Sequence, residues 1–186
     1  MPWIVKDLCP EEGCEFGPWI ACDTMTVRIA EDRDAPPAFQ LAKNERFHAL
    51  TGNVHVERPG IITFTDTVRI QRDEPQLPPA VYTPADTLYP LYYGSEGTGA
   101  WFFHGRLGGG EWFFPHSRNG WGGTAGVVLS QELVESWWVR VRDLHGRAGW
   151  ILVAHGARIA GSSPHYEDNP PSCSEFRPDS SRTTGR

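Results

Sequence analysis

The stretch Trp137-Trp138-Val139-Arg140-Val141-Arg142-Asp143-Leu144-His145-Gly146-Arg147-Ala148-Gly149-Trp150-Ile151 decides the fold class. Side chains alternate across a strand, so Trp137, Val139 and Val141 fall on one face and Trp138, Arg140 and Arg142 on the other. Leu144-His145-Gly146 interrupts the alternation with a residue free to take positive φ, which predicts a tight turn. Gly149-Trp150-Ile151 then returns as the partner strand. The stretch reads as a β-hairpin. Its parity places Trp138 outward, beside Arg140 and Arg142.

The composition extends the all-β reading to the whole chain. The 186 residues include 20 Gly and 16 Pro, with 12% aromatics. Frequent turn residues between short apolar runs predict many short strands. The formal net charge is −6 and no Lys/Arg run is present. A phosphate backbone needs a basic face, so nucleic acid is not an expected partner. No apolar run approaches the roughly 18 residues of a membrane span. The opening Met1-Pro2-Trp3-Ile4-Val5-Lys6-Asp7 lacks the order of a signal peptide. The expected location is therefore cytoplasmic, with peripheral contact to a membrane complex left open; a leader removed upstream would make the protein an exported one.

The pattern W-W-V-x-V-x-x-x-x-G-x-x-G-W in the opening stretch resembles the closing strands of a bacterial SH3-like (SH3b) domain. The run Cys9-Pro10 to Trp19 is similar to the start of uncharacterised bacterial SH3-like proteins. The resemblance implies small β-barrels and a role in recognition rather than catalysis.

An internal repeat suggests two such units. Val27-Arg28-Ile29, Pro36-Pro37-Ala38 and Phe47 recur as Val68-Arg69-Ile70, Pro78-Pro79-Ala80 and Leu88, at offsets of 41, 42 and 41 residues. One order of strand, Pro-rich loop and strand at nearly one offset points to duplication. The polar turns expected after the Pro-rich loops are Ala42-Lys43-Asn44-Glu45-Arg46-Phe47 and Pro84-Ala85-Asp86-Thr87-Leu88. The expected fold is all-β, with two SH3-like β-barrels in tandem. Residues 1–22 form an extended N-terminal segment that packs on a barrel or a partner. Barrel 1 takes 23–65, with a turn at Arg58-Pro59-Gly60. Barrel 2 takes 66–160, with an insertion at about 107–135. Residues 161–186 form an irregular tail that cannot offset its own ordering entropy unless it packs on the barrels or another subunit.

The insertion carries the candidate binding surface. Trp101-Phe102-Phe103-His104 and Trp112-Phe113-Phe114-Pro115-His116 flank Gly108-Gly109-Gly110, which predicts an aromatic hairpin with a glycine tip. Alternation makes both its faces aromatic, and one face of a small barrel cannot bury all these rings. The candidate partner-binding residues are Trp101, Phe103, Trp112, Phe114, Trp121, Trp138, Arg140 and Arg142. Burial between the two barrels is the competing account of the aromatics. Pro90 within Tyr89-Pro90-Leu91 predicts an edge or a bulge. Gly94-Ser95-Glu96-Gly97-Thr98-Gly99 is followed by a strand rather than a helix, and so reads as a hairpin tip, not a phosphate loop.

No motif for nucleophilic, phosphoryl-transfer or metalloprotease chemistry is present, so no catalytic residue is expected. Cys9, Cys14, Cys22 and Cys173 match no standard zinc or cluster spacing. Cys9–Cys14 would close a small loop in an exported protein; in the cytosol reduced thiols are the default. No metal and no cofactor is expected. The leading functional reading is a non-catalytic protein-binding or scaffolding protein, an accessory subunit of a larger complex. A cell-envelope or peptidoglycan-binding SH3b protein is the alternative, and a small metal or thiol enzyme a third.

Overall fold

The structure is a computed structural model that describes residues 3–10, 14–70, 80–94, 98–111, 125–153, 159–160 and 173. Among them the regular structure is β, in several sheets, with no helix that could cross a membrane and no closed barrel. In chain order the strands are β1 (Trp3–Val5), β2 (Pro18–Ala21), β3 (Met25–Arg28), β4 (Pro37–Leu41), β5 (Arg46–Arg58), β6 (Ile61–Phe64), β7 (Val68–Ile70) and β8 (Ala80–Tyr82). They continue as β9 (Thr87–Tyr93), β10 (Thr98–Phe103), β11 (Arg106–Glu111), β12 (Val127–Gln131), β13 (Val134–Asp143), β14 (Ala148–Val153) and β15 (Ile159–Ala160).

Contacts divide the chain into two compact units, each made from two stretches. One comprises Met1–Glu12 with Asn53–Trp137, the other Gly13–Gly52 with Trp138–Arg186. The contiguous blocks 23–65 and 66–160 expected from the sequence are not the observed units. The reason lies in strand pairing. β3 pairs with β14 through Trp150 and Arg28, which draws the early strands to the late hairpin. β6 pairs instead with β9 and β12, and so joins the sheet that carries the aromatic strands.

In the unit of Gly13–Gly52 and Trp138–Arg186, β2 pairs with the first part of β5, setting Trp19 opposite Phe47. Their rings meet edge to face at 6.1 Å, and both are buried. Such an aromatic pair adds about 0.5–1.5 kcal/mol beyond its buried area. The turn from β13 to β14 forms as the sequence predicts. Gly146 takes φ of 83°, and its N–H donates to the Asp143 carbonyl at 3.1 Å. Asp143 Oδ1 accepts from the backbone N–H of His145 (2.9 Å) and of Arg147 (2.8 Å), while Oδ2 accepts from Arg147 Nε at 2.6 Å. Burial alone would raise the Asp143 carboxyl; these donors and the Arg147 charge outweigh it and hold the group below the ordinary carboxylate range. The Arg147 guanidinium also lies 4.5 Å over the Phe39 ring. Gly149 is required by contact rather than by φ, since a Cβ there would stand 2.5 Å from the Arg28 carbonyl oxygen. A disulfide joins Cys22 to Cys173 with Cα atoms 5.3 Å apart.

In the unit of Met1–Glu12 and Asn53–Trp137, a five-stranded sheet runs β11-β10-β9-β6-β12. Ile62, Phe64 and Leu88 on its inner face form one buried cluster with Val68 and Tyr82 of the β7–β8 hairpin. Phe64 and Tyr82 stack at 4.9 Å. β5 passes into β6 at Arg58-Pro59-Gly60, where the Gly60 N–H donates to the Pro90 carbonyl at 2.8 Å.

At an offset of 41 residues several described positions share burial and turn bonding. Val27, Leu41 and Phe47 are buried, and so are Val68, Tyr82 and Leu88, 41 residues on. The Ala42 N–H donates to Glu45 Oε2 (2.6 Å) and the Glu45 N–H to the Ala42 carbonyl (3.0 Å). At the same offset the Thr83 N–H donates to Asp86 Oδ2 (2.7 Å) and the Asp86 N–H to the Thr83 carbonyl (2.9 Å).

Candidate functional site

The candidate site is built on β9, β10 and β11. Pro90 does mark a bulge: β10 pairs Ala100 with Tyr92 and Trp101 with Pro90, which leaves Leu91 as an extra residue on β9. A bulge re-aims the side chains around it. On β10, Trp101 and Phe103 turn inward and pack against the buried cluster, Phe103 meeting Tyr82 edge to face at 5.2 Å. Phe102 therefore turns outward. It stands between Leu107 of β11 and Tyr89 of β9, its register partners on either side. The three are 41%, 62% and 37% exposed respectively, an unburied apolar row across three strands. Tyr89 and Phe102 rings lie 6.5 Å apart. Together with Trp3, Pro59 and Leu91 they line a groove of about 610 Å³.

The β10–β11 turn lies at His104-Gly105, not at Gly108–Gly110 as the sequence suggested. His104 takes φ of 47° and Gly105 of 77°, the two left-handed positions of a two-residue hairpin. The glycines lie instead within β11, where Gly108 lets Trp101 lie across it; a Cβ there would be 2.6 Å from indole Nε1. His104 stacks on Phe103 at 4.0 Å, and its Nε2 is 2.6 Å from Asp86 Oδ1. The Thr83 N–H and hydroxyl, ahead of His104, hold the Asp86 carboxyl below its usual range against the opposing effect of burial. Beside this pair a second cavity, of about 460 Å³, is lined by Trp101, Phe103, His104, Arg106, Leu107 and Gly108.

Comparison with protein-family models, with curated proteins and with solved structures finds no match. Any functional reading therefore stands on the geometry of the chain itself.

The residues proposed from the sequence fall into three groups. Trp101 and Phe103 belong to the site but as its inner support. Trp112, Phe114 and Trp121, with His116, lie outside the described residues. Trp138, Arg140 and Arg142 lie on the other unit's part of β13. Arg140 and Arg142 are exposed as alternation requires, but Trp138 is buried at 2%. Trp137 is buried beside it, so both faces of β13 are covered there and parity no longer reports exposure. Sequence reasoning missed Trp3, Tyr89, Leu91, Phe102 and Leu107. The signal for Phe102 was present, since it occupies the opposite face from Trp101 and Phe103 by alternation.

Among the described residues no group of three or more His, Cys, Asp or Glu is placed to hold a metal. All four cysteines are disulfide-bonded, where reduced thiols were the expectation for a cytosolic chain. Glu135, at the start of β13, has its carboxyl pushed up to about 7 by desolvation, which a hydrogen bond from the Tyr93 backbone partly offsets.

Proposed function

We propose that the protein is a non-catalytic binding protein that presents the outer face of the five-stranded sheet to a protein partner, as an accessory or scaffolding subunit. The observation that carries this reading is the exposed row Leu107–Phe102–Tyr89 along the groove. Fully burying an aromatic or leucine side chain is worth about 1.5–3 kcal/mol. A folded chain that forgoes this at three adjacent positions gains it when a partner covers them. The hairpin resemblance supports recognition as well. The unit with β13–β14 also holds β3, β4 and the start of β5, and the shared turn at an offset of 41 residues supports a diverged second copy in the other unit.

The disulfides favour meeting that partner outside the cytosol, since such bonds persist in oxidising compartments. This is the exported form of the reading, close to the cell-envelope alternative.

Affinity purification of the full chain from its native host tests the proposal. A stoichiometric protein partner that is lost with Phe102→Ser is the expected result. A monomer recovered alone, with the wild-type chain folded, overturns it. Titration of free thiols in the freshly isolated protein tests the compartment: no reactive thiol is expected, and four would assign the protein to a reducing compartment.

A further inference from the structure

We infer that β11 is a docking edge, to which a partner adds an extended strand with alternating apolar and acidic side chains. The inference rests on the binding reading above and names the partner's chemistry.

β11 ends the order β11-β10-β9-β6-β12, and no described strand pairs with its outer side. The two-residue turn makes Phe103 and Arg106 the pair that closes the hairpin by hydrogen bonds. Backbone groups alternate along an antiparallel strand. Arg106 and Gly108 thus spend theirs on β10, whereas Leu107 and Gly109 direct their N–H and C=O outward. An incoming extended chain meets these groups with no side chain from Gly108 or Gly109 in its way. Backbone pairing supplies affinity in this mode, and pockets for alternate side chains supply specificity.

Both faces of the edge have such pockets, and they differ in chemistry. On one face Leu107, Phe102 and Tyr89 line the apolar groove. On the other, Arg106 and His104 border the smaller cavity beside Trp101. Arg106 is exposed and makes no ion pair among the described residues. Asp86, the carboxylate bound to His104 at this cavity, is already occupied by Thr83 and His104. An added strand places successive side chains on opposite faces. Apolar residues then enter the groove and acidic residues meet Arg106.

The test uses the full oxidised chain and fluorescent peptides read by anisotropy. A peptide of alternating Val and Glu is expected to bind at least ten-fold more tightly than one of alternating Val and Lys. Arg106→Glu should reverse that order. Methylating alternate backbone nitrogens of the Val-Glu peptide, which leaves the protein untouched, should weaken binding more than ten-fold. Equal binding of the methylated peptide, or equal binding of the Lys peptide, overturns the inference. A chain that self-associates through this edge, with dimers lost in Gly109→Pro, also overturns it by making a second copy the occupant. If the peptides fail while native partner capture still depends on Phe102, edge pairing is wrong and the binding reading stands. If capture fails too, both fall.

Discussion

The turns at Ala42–Glu45 and Thr83–Asp86 are one device used twice. In each, an acidic side chain accepts the N–H of the residue three before it, and its own N–H closes back on that residue's carbonyl. The differences are small in sequence and large in consequence. Glu45 makes its bond at the surface. Asp86 is buried, gains the Thr83 hydroxyl at 2.9 Å, and keeps its second oxygen for His104. Through His104 it fixes the tip of the β10–β11 hairpin, and so the edge of the apolar groove. In one unit the turn ties back to Ala21 of β2, through the Asn44 N–H (2.7 Å) and the Glu45 carbonyl (3.0 Å); in the other it supports the candidate binding face.

The largest effect that could break this comparison is covalent. The unit with the plain turn carries the Cys22–Cys173 bridge, which closes a loop of 151 residues. A loop longer than 100 residues corresponds to a stabilisation of about 4 kcal/mol or more on chain-entropy grounds. Replacing both cysteines by Ala should lower the urea-unfolding free energy by about that much. A loss below about 1 kcal/mol would mean that the turns, not the bridge, distinguish the two units.

Next in size is Asp86→Ala, at about 2 kcal/mol, because it removes a buried carboxylate that accepts from the half-buried Thr83 N–H and hydroxyl and pairs with His104. Glu45→Ala should cost about 1 kcal/mol or less, since water replaces an exposed partner. Equal losses would show that burial of Asp86 adds nothing. The pH profile follows from the same groups. Asp86 and Asp143 both have lowered carboxyl pKa values in the fold. The stability they contribute is present above the unfolded value of about 4 and is lost as pH falls through the folded values. Glu135 acts with the opposite sign. Raised to about 7, it favours the fold while protonated, and its contribution is lost as pH rises through that value. Because the residue stays partly exposed, water screens the effect, and the sign rather than the size is diagnostic. Stability measured against pH should fall on both limbs; Asp86→Ala should flatten the acid limb and Glu135→Gln the neutral one.

Local features of the fold were legible in the sequence because local chemistry fixes them. Gly146 takes the positive φ its turn needs, Pro90 coincides with a bulge, and the recurrence at 41 residues lands on matched turns and matched burial. Long-range pairing was not legible. Nothing in Met25–Arg28 announces a partner at Trp150, and no spacing rule joins Cys22 to Cys173. The glycine run misled because glycine marks both turns and close approaches. Here Gly108 accommodates the Trp101 ring, and His104-Gly105 supplies the left-handed turn. The site was half legible: the aromatic strand was found, but periodicity of two identifies alternate faces without saying which faces the core. Val68 and Tyr82 of a separate hairpin decide that, by covering the side of Trp101 and Phe103.

A smaller effect converts one turn into the other. Ala42→Thr with Glu45→Asp gives the first turn the two hydrogen-bonding residues of the second. The added hydroxyl bond should raise stability by about 0.5 kcal/mol, the low end for an exposed hydrogen bond. A thermal melt that moves down instead would show that the backbone around Asn44, with its φ of 67°, differs too much for the two turns to exchange side chains.

The smallest expected change in stability is the most informative about function. Phe102 and Phe103 are neighbours of identical chemistry on one strand, separated only by the face they occupy. Phe103 packs on Tyr82 and the buried cluster, so its truncation opens space in the interior. Phe102 is 41% exposed, and Phe102→Ser should change the unfolding free energy by less than about 0.5 kcal/mol. If the unit folds unaltered and its partner no longer binds, the outer face is held open for recognition. If Phe102→Ser costs as much stability as Phe103→Ser, the ring serves the fold, and the groove is no more than incompletely covered interior.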